Sequence, residues 1–113
     1  MKSYTDLNQS KVLTGILQPE SADMIWILAN PDLPMIKAIA YKDSEKSKFY
    51  ETLPAWSLGA LVDVLPIGYV IVKNYQGFYY VESRDHKKST KIFNNPVDAC
   101  VAMIEDLHKT NLL

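Results

Sequence analysis

The sequence predicts an α+β fold, an antiparallel sheet with helices packed mainly on one face, in the order α-β-β-α-β-β-β-α. Three observations carry that expectation. A C-terminal segment opening at Asn95-Pro96 holds apolar residues at helical spacing. Two short apolar runs, Gly68 to Lys73 and Phe78 to Ser83, flank the turn residues Asn74-Tyr75-Gln76-Gly77. Earlier, Met24 to Leu28 and Met35 to Tyr41 flank a second dense turn signal, Asn30-Pro31-Asp32-Leu33-Pro34.

In chain order, the first predicted helix runs from Asp6 to Leu17. Asp6 can cap it and Gln9, three residues on, can complete a capping box. Val12, Leu13, Ile16 and Leu17 form its apolar stripe, and Pro19 ends it. The two apolar runs are expected to be strands, followed by the polar loop Lys42 to Lys48. A second helix is expected from Pro54 or Ser57 to Leu65, with Leu58, Leu61, Val62 and Leu65 on one stripe and Pro66 closing it. Gly59 costs that helix about 1 kcal/mol relative to alanine, which suggests close packing against a neighbour. The hairpin follows, then a third strand from Lys88 to Phe93. The last helix is capped by Asn94 or Asn95, with Pro96 in its first turn and Asp98 near the positive end of its dipole. Its stripe is Val97, Cys100, Val101, Ile104, Leu107 and His108.

With 113 residues, 48% hydrophobic and 22% charged, the chain has the size and composition of one globular domain spanning residues 1–113. Such a chain removes roughly two-thirds of its unfolded surface from water and folds without staples. Twelve basic against thirteen acidic side chains give a net charge of −1, so no global field draws in nucleic acid or a membrane surface. No signal-peptide core follows Met1, and the longest apolar run, Met24 to Ala29, is too short to span a bilayer. A cytoplasmic location is expected. Cys100 is the only cysteine, which excludes an internal disulfide and any Cys-x-x-Cys pair.

Candidate chemistry is sparse. Nucleophilic catalysis needs a nucleophile, a base and a group to orient the base, yet His86 and His108 are the only imidazoles and neither has a local partner pattern. His86, in Arg84-Asp85-His86-Lys87-Lys88, reads as a solvated hairpin-tip residue with cations on both sides, and His108 as a favourable charge near a helix C-terminus. Cys100 lies on the apolar stripe, where burial raises a thiol pKa. Two histidines twenty-two residues apart match no zinc spacing, Asp43-Ser44-Glu45 lacks the ligand alternation of a calcium loop, and the four glycines form no phosphate cradle. No cofactor or metal is expected, and an enzyme is the less favoured reading.

Helix, three strands, helix is the topological order of double-stranded RNA-binding domains. Those present lysines at the start of the final helix, whereas this chain has Asn94-Asn95-Pro96-Val97-Asp98. Arg84, Lys87, Lys88 and Lys91 form a small basic patch whose commoner meaning is a charged hairpin rim. The strand-strand-strand-helix half resembles HicB-type antitoxins by order alone. The segments Pro54-Ala55-Trp56-Ser57-Leu58-Gly59-Ala60-Leu61-Val62-Asp63-Val64-Leu65-Pro66 and Asn95-Pro96-Val97-Asp98-Ala99-Cys100-Val101-Ala102-Met103-Ile104, with Glu20-Ser21-Ala22-Asp23-Met24 as a weaker third, resemble short proteins of gut-bacterial genomes and their prophages. That resemblance implies a bacterial, phage-linked setting and no catalytic residue.

The expected function is a small binding or adaptor protein acting through a surface, with a protein partner or a second copy in a homodimer. The alternatives are a small enzyme with a scattered site and a HicB-like regulator. Both alternating sets of the hairpin are apolar, so helices covering one leave the other for a partner. Tyr69, Ile71, Tyr79 and Val81 are the candidate partner-binding set.

Overall fold

The structure is a computed structural model, and it describes residues 1–28, 35–37 and 51–113. Helix α1 spans Leu7–Thr14. Its capping box is complete: Asp6 Oδ1 accepts from the Gln9 amide at 2.8 Å, and Gln9 Oε1 accepts from the Asp6 amide at 3.0 Å. Gly15 caps the helix, which ends at Thr14, three residues before the predicted end at Leu17, and Val12 of the predicted stripe faces solvent while Leu13 is buried. Ile16 and Leu17 still pack on the core from the turn that follows. A 3₁₀ turn at Pro19–Ser21 then leads into strand β1, Met24–Leu28.

β1 is the centre of an antiparallel three-stranded sheet, between β2 (Met35–Lys37) and β3 (Glu51–Ala55). The register places Ile25 opposite both Lys37 and Pro54. Of the two predicted starts of the second helix, Pro54 lies in the strand β3 and Ser57 is the observed cap. The edge position of β3 accounts for the proline, since a residue without an amide hydrogen is tolerated where one side of the strand lacks a ladder. The predicted turn at 30–34, the remainder of the second predicted strand (38–41) and the polar loop at 42–48 lie outside the described residues.

Helix α2 is Leu58–Val64, capped by Ser57, with Leu65 as its C-cap. Leu61 is buried, but Val62 is exposed. Gly59 is exposed too, and a Cβ there would meet only Ser57 Oγ, at 3.8 Å, so it mediates no close packing. The segment before α1 pairs with the segment before α2: Thr5 donates its amide to Trp56 O (2.9 Å), and the Leu58 amide donates to Ser3 O (3.0 Å). Thr5 and Ser10, both fully buried, satisfy each other through their hydroxyls at 2.8 Å.

Strands β4 (Tyr69–Lys73) and β5 (Tyr79–Ser83) form the predicted hairpin. Asn74 closes it with its side chain, Oδ1 accepting from the amides of Gln76 and Phe78, and Gly77 supplies the left-handed residue at φ +88°. Residues 88–93 return alongside β5, but as isolated bridges at Ser89 and Phe93 rather than a regular strand. The ladder is interrupted where the Val81 amide donates to Thr90 Oγ1 instead of a backbone carbonyl.

Helix α3, Pro96–Lys109, starts as predicted with Asn95 Oδ1 accepting from the Asp98 amide at 2.9 Å. It ends in a Schellman motif, Leu112 N to Leu107 O and Asn111 N to His108 O, with Asn111 left-handed at φ 56°. Val97, Cys100, Val101, Ile104 and Leu107 are buried; His108, predicted on that stripe, is exposed. The helix packs on the hairpin and on α2, and Trp56, fully buried, fills the core beside Leu13 and Leu61. The architecture is α+β with antiparallel sheets. Among the described residues no helix is long and apolar enough to cross a membrane.

Candidate functional site

Because side chains alternate along a strand, the hairpin has two faces, and α3 decides which one is covered. The inward set contains Tyr69, Ile71, Tyr79 and Val81. Val81 is 0% exposed, and the other three pack partly buried against the core. These are the four residues predicted to meet a partner, and the structure turns their side chains toward α3. The sequence could not discriminate because both sets are apolar.

The solvent side is built from the alternate set. Val70 pairs with Glu82 and Val72 with Tyr80, and Phe78 continues the same face toward the turn. Ile92, one residue before the inward-packed Phe93, joins this side next to Tyr80. Val70, Phe78 and Ile92 are 41%, 39% and 54% exposed, and Val72 and Tyr80 are half-buried. The face ends on a polar rim, where Glu82 Oε2 lies 3.3 Å from His86 Nδ1. His86 is exposed at φ 61°, and the charged group nearest its ring is thus a carboxylate.

Polar clusters elsewhere are engaged in holding the fold. An open hollow beside α2 is lined by Glu20, Ser21, Asp23 and Asp63. Asp23 there accepts from the Ser57 amide at 2.8 Å and from the Ser57 hydroxyl, fastening β1 to the start of α2. Neither histidine lines this hollow. A second cluster joins Lys2, Asp6, Gln9, Asn95 and Asp98 between the starts of α1 and α3. Burial alone would raise the Asp98 carboxyl, but hydrogen bonds from Lys2, Asn95 and Gln9 outweigh it and hold the group below the usual carboxylate range.

Cys100 is buried, and desolvation pushes its thiol up to about 12, which removes it as a nucleophile. No group of three or more potential metal-ligating side chains occurs among the described residues. The basic patch is partly neutralised within the fold: Lys88 Nζ lies 2.9 Å from Asp106 Oδ2, while Arg84, Lys87 and Lys91 are exposed. No protein-family model, curated protein or solved structure matches this chain.

Proposed function

We propose that the chain is a small protein-binding module that works through the outer face of its β4–β5 hairpin. The observation that carries the reading is the row Val70, Val72, Tyr80 and Ile92, with Phe78 at its end: aliphatic and aromatic side chains on one side of a rigid hairpin, reached by solvent. An apolar row with a charged rim is the composition of a recognition surface, in which a dry centre contributes affinity and the rim sets orientation. The chemistry of the remaining polar groups supports binding over catalysis, because the Ser57 and Asp23 side chains bond each other and the Asp98 carboxylate accepts from Lys2, Gln9 and Asn95. The textual resemblance to gut-bacterial and prophage proteins favours a bacterial, cytoplasmic setting for the partner.

A photo-cross-linking amino acid at position 80 tests this. The expected result is a discrete protein adduct in cells, absent with the same group at Lys11 on α1 and lost when Val70→Lys is added. Equal adduct formation from positions 80 and 11 would overturn the reading.

A further inference from the structure

The geometry points to a second copy of this chain as an occupant of the hairpin, joined edge to edge through β4 in a two-fold antiparallel pair centred on Ile71; this rests on the hairpin being the binding element. The backbone phase of β4 fixes which of its groups are available. The Asn74 amide donates to Phe78 O (2.8 Å), and the Arg84 amide donates to Gly68 O (2.7 Å). With Val72 opposite Tyr80 and Val70 opposite Glu82, the even-numbered residues of β4 therefore direct their amides and carbonyls into the hairpin. The odd-numbered residues Tyr69, Ile71 and Lys73 direct theirs to the far side. Among the described residues no other strand pairs with β4, and no hydrogen bond reaches Ile71 or Lys73 from that side.

A two-fold axis at Ile71 matches odd residues only to odd: Ile71 meets its own copy, and Tyr69 meets Lys73 of the other. The Ile71 amide and carbonyl, the Lys73 amide and the Tyr69 carbonyl then find partners of the correct phase, while the Tyr69 amide is already engaged by Pro66 O at 3.3 Å. The charge pattern agrees with this register. Lys73 already lies over the Tyr79 ring, 5.6 Å from its centroid, and the pairing brings Tyr69 of the second copy to its other side. Lys73 never faces Lys73, so the single charge of the strand raises no like-charge repulsion. On the solvent side Val70 faces Val72 of the other copy in two close pairs, which continues the apolar row across the junction. Natural proteins protect an open edge with proline, a bulge or charged side chains, lysine above all; β4, Tyr-Val-Ile-Val-Lys, has no proline and one lysine, at its end.

Sedimentation equilibrium combined with amide hydrogen exchange tests the pairing on the unmodified chain. A concentration-dependent monomer–dimer equilibrium is expected, with the Ile71 and Lys73 amides slowing as dimer forms. A chain that stays monomeric to millimolar concentration, or a dimer in which those two amides exchange as in the monomer, would overturn it. The register has its own test. V70K/V72K sets lysine against lysine in both cross-pairs and should weaken the dimer by about a hundredfold. V70K/V72E sets lysine against glutamate and should restore most of that loss in low salt. Loss in both variants, with the fold intact by circular dichroism, would reject the edge register and leave stacking of outer faces, so the edge pairing can fail while the binding face stands.

Discussion

Gln9 of α1 donates its side-chain amide to Asp98 Oδ1 of α3 at 2.7 Å, and each residue is the third of its helix. Two N-terminal caps distant in sequence are thereby fused. Lys2 adds a charge to the junction, 2.8 Å from Asp6 Oδ2 and 2.9 Å from Asp98 Oδ1. The α1 capping box is local, but its attachment to α3 is a tertiary contact that holds the N-terminal segment against the final helix.

Asp98→Ala should therefore destabilise the fold by about 1–3 kcal/mol at neutral pH, since three side-chain donors lose their acceptor. The pH dependence follows from the directions of the shifts. Asp98 and Asp6 are each raised by burial and lowered more by their hydrogen bonds, ending below 3.8; their contribution is full above that value and is lost as pH falls through the depressed pKa. Lys2 is lowered by burial and raised more by Asp6 and Asp98, ending above 10.5, so its contribution is lost as pH rises through the raised value. Urea midpoints at pH 7 and pH 3 should differ less in Asp98→Asn than in the parent. An equal acid sensitivity would show that this cluster does not govern the acid limb.

Ser57→Ala removes the hydroxyl that accepts from the Ala60 amide at 3.2 Å and should cost about 1–2 kcal/mol. Ser57→Asp should cost at least as much, although aspartate is as good a cap as serine on intrinsic preference. The reason is Asp23, whose carboxylate is already within hydrogen-bond reach of position 57 and would face a second carboxylate. Thermal midpoints of the two variants decide this, and a neutral Ser57→Asp would refute the clasp as described.

What was legible in the sequence follows the range of the interactions. The Asp6–Gln9 box, the Asn95-Pro96 start and the Asn74 to Gly77 turn are set by residues a few positions apart, and each stands where the sequence predicted it. β3 was hidden because Pro54 reads locally as a helix start, while its edge position depends on β1 nearly thirty residues earlier. The hairpin face was hidden for another reason: alternation of Val70 and Val72 with Tyr69 and Ile71 has no polar set, so only the placement of α3 separates solvent-facing from core-facing residues. Exposure of His108 and Val62 marks where a stripe predicted by spacing runs wider than the helix face that is covered.

Ile104 is 0% exposed on α3 beside Cys100, and Ile104→Ala should destabilise by about 2–5 kcal/mol through the cavity it leaves. The same packing governs the thiol. With its pKa pushed up to about 12 by burial, Cys100 stays protonated near neutral pH, and reagent must wait for opening of the helix. Labelling should be slow in the native parent, faster in Ile104→Ala and complete in urea. Rapid labelling of the native parent would contradict burial of this stripe.

The chain should bind neither double-stranded RNA nor DNA specifically at physiological salt. Polyanion binding rests on several cations free to neutralise phosphates along one surface. Here the start of α3, the end at which backbone amides could receive a phosphate, already carries the Asp98 carboxylate, and its Asn95 cap is engaged. Lys2 is held between two carboxylates, and Lys88 is paired with Asp106. Of the basic patch, Arg84, Lys87 and Lys91 are exposed, in a stretch that also holds Asp85 and Glu82 and within a chain of net charge −1. Fluorescence anisotropy with duplexes in 50 and 150 mM salt is the measurement. The expected result is no saturable binding below about 100 μM, the upper end of ordinary non-specific affinity. A sub-micromolar affinity that falls steeply with salt and is lost in Arg84→Ala/Lys87→Ala would instead make the hairpin tip a nucleic-acid contact.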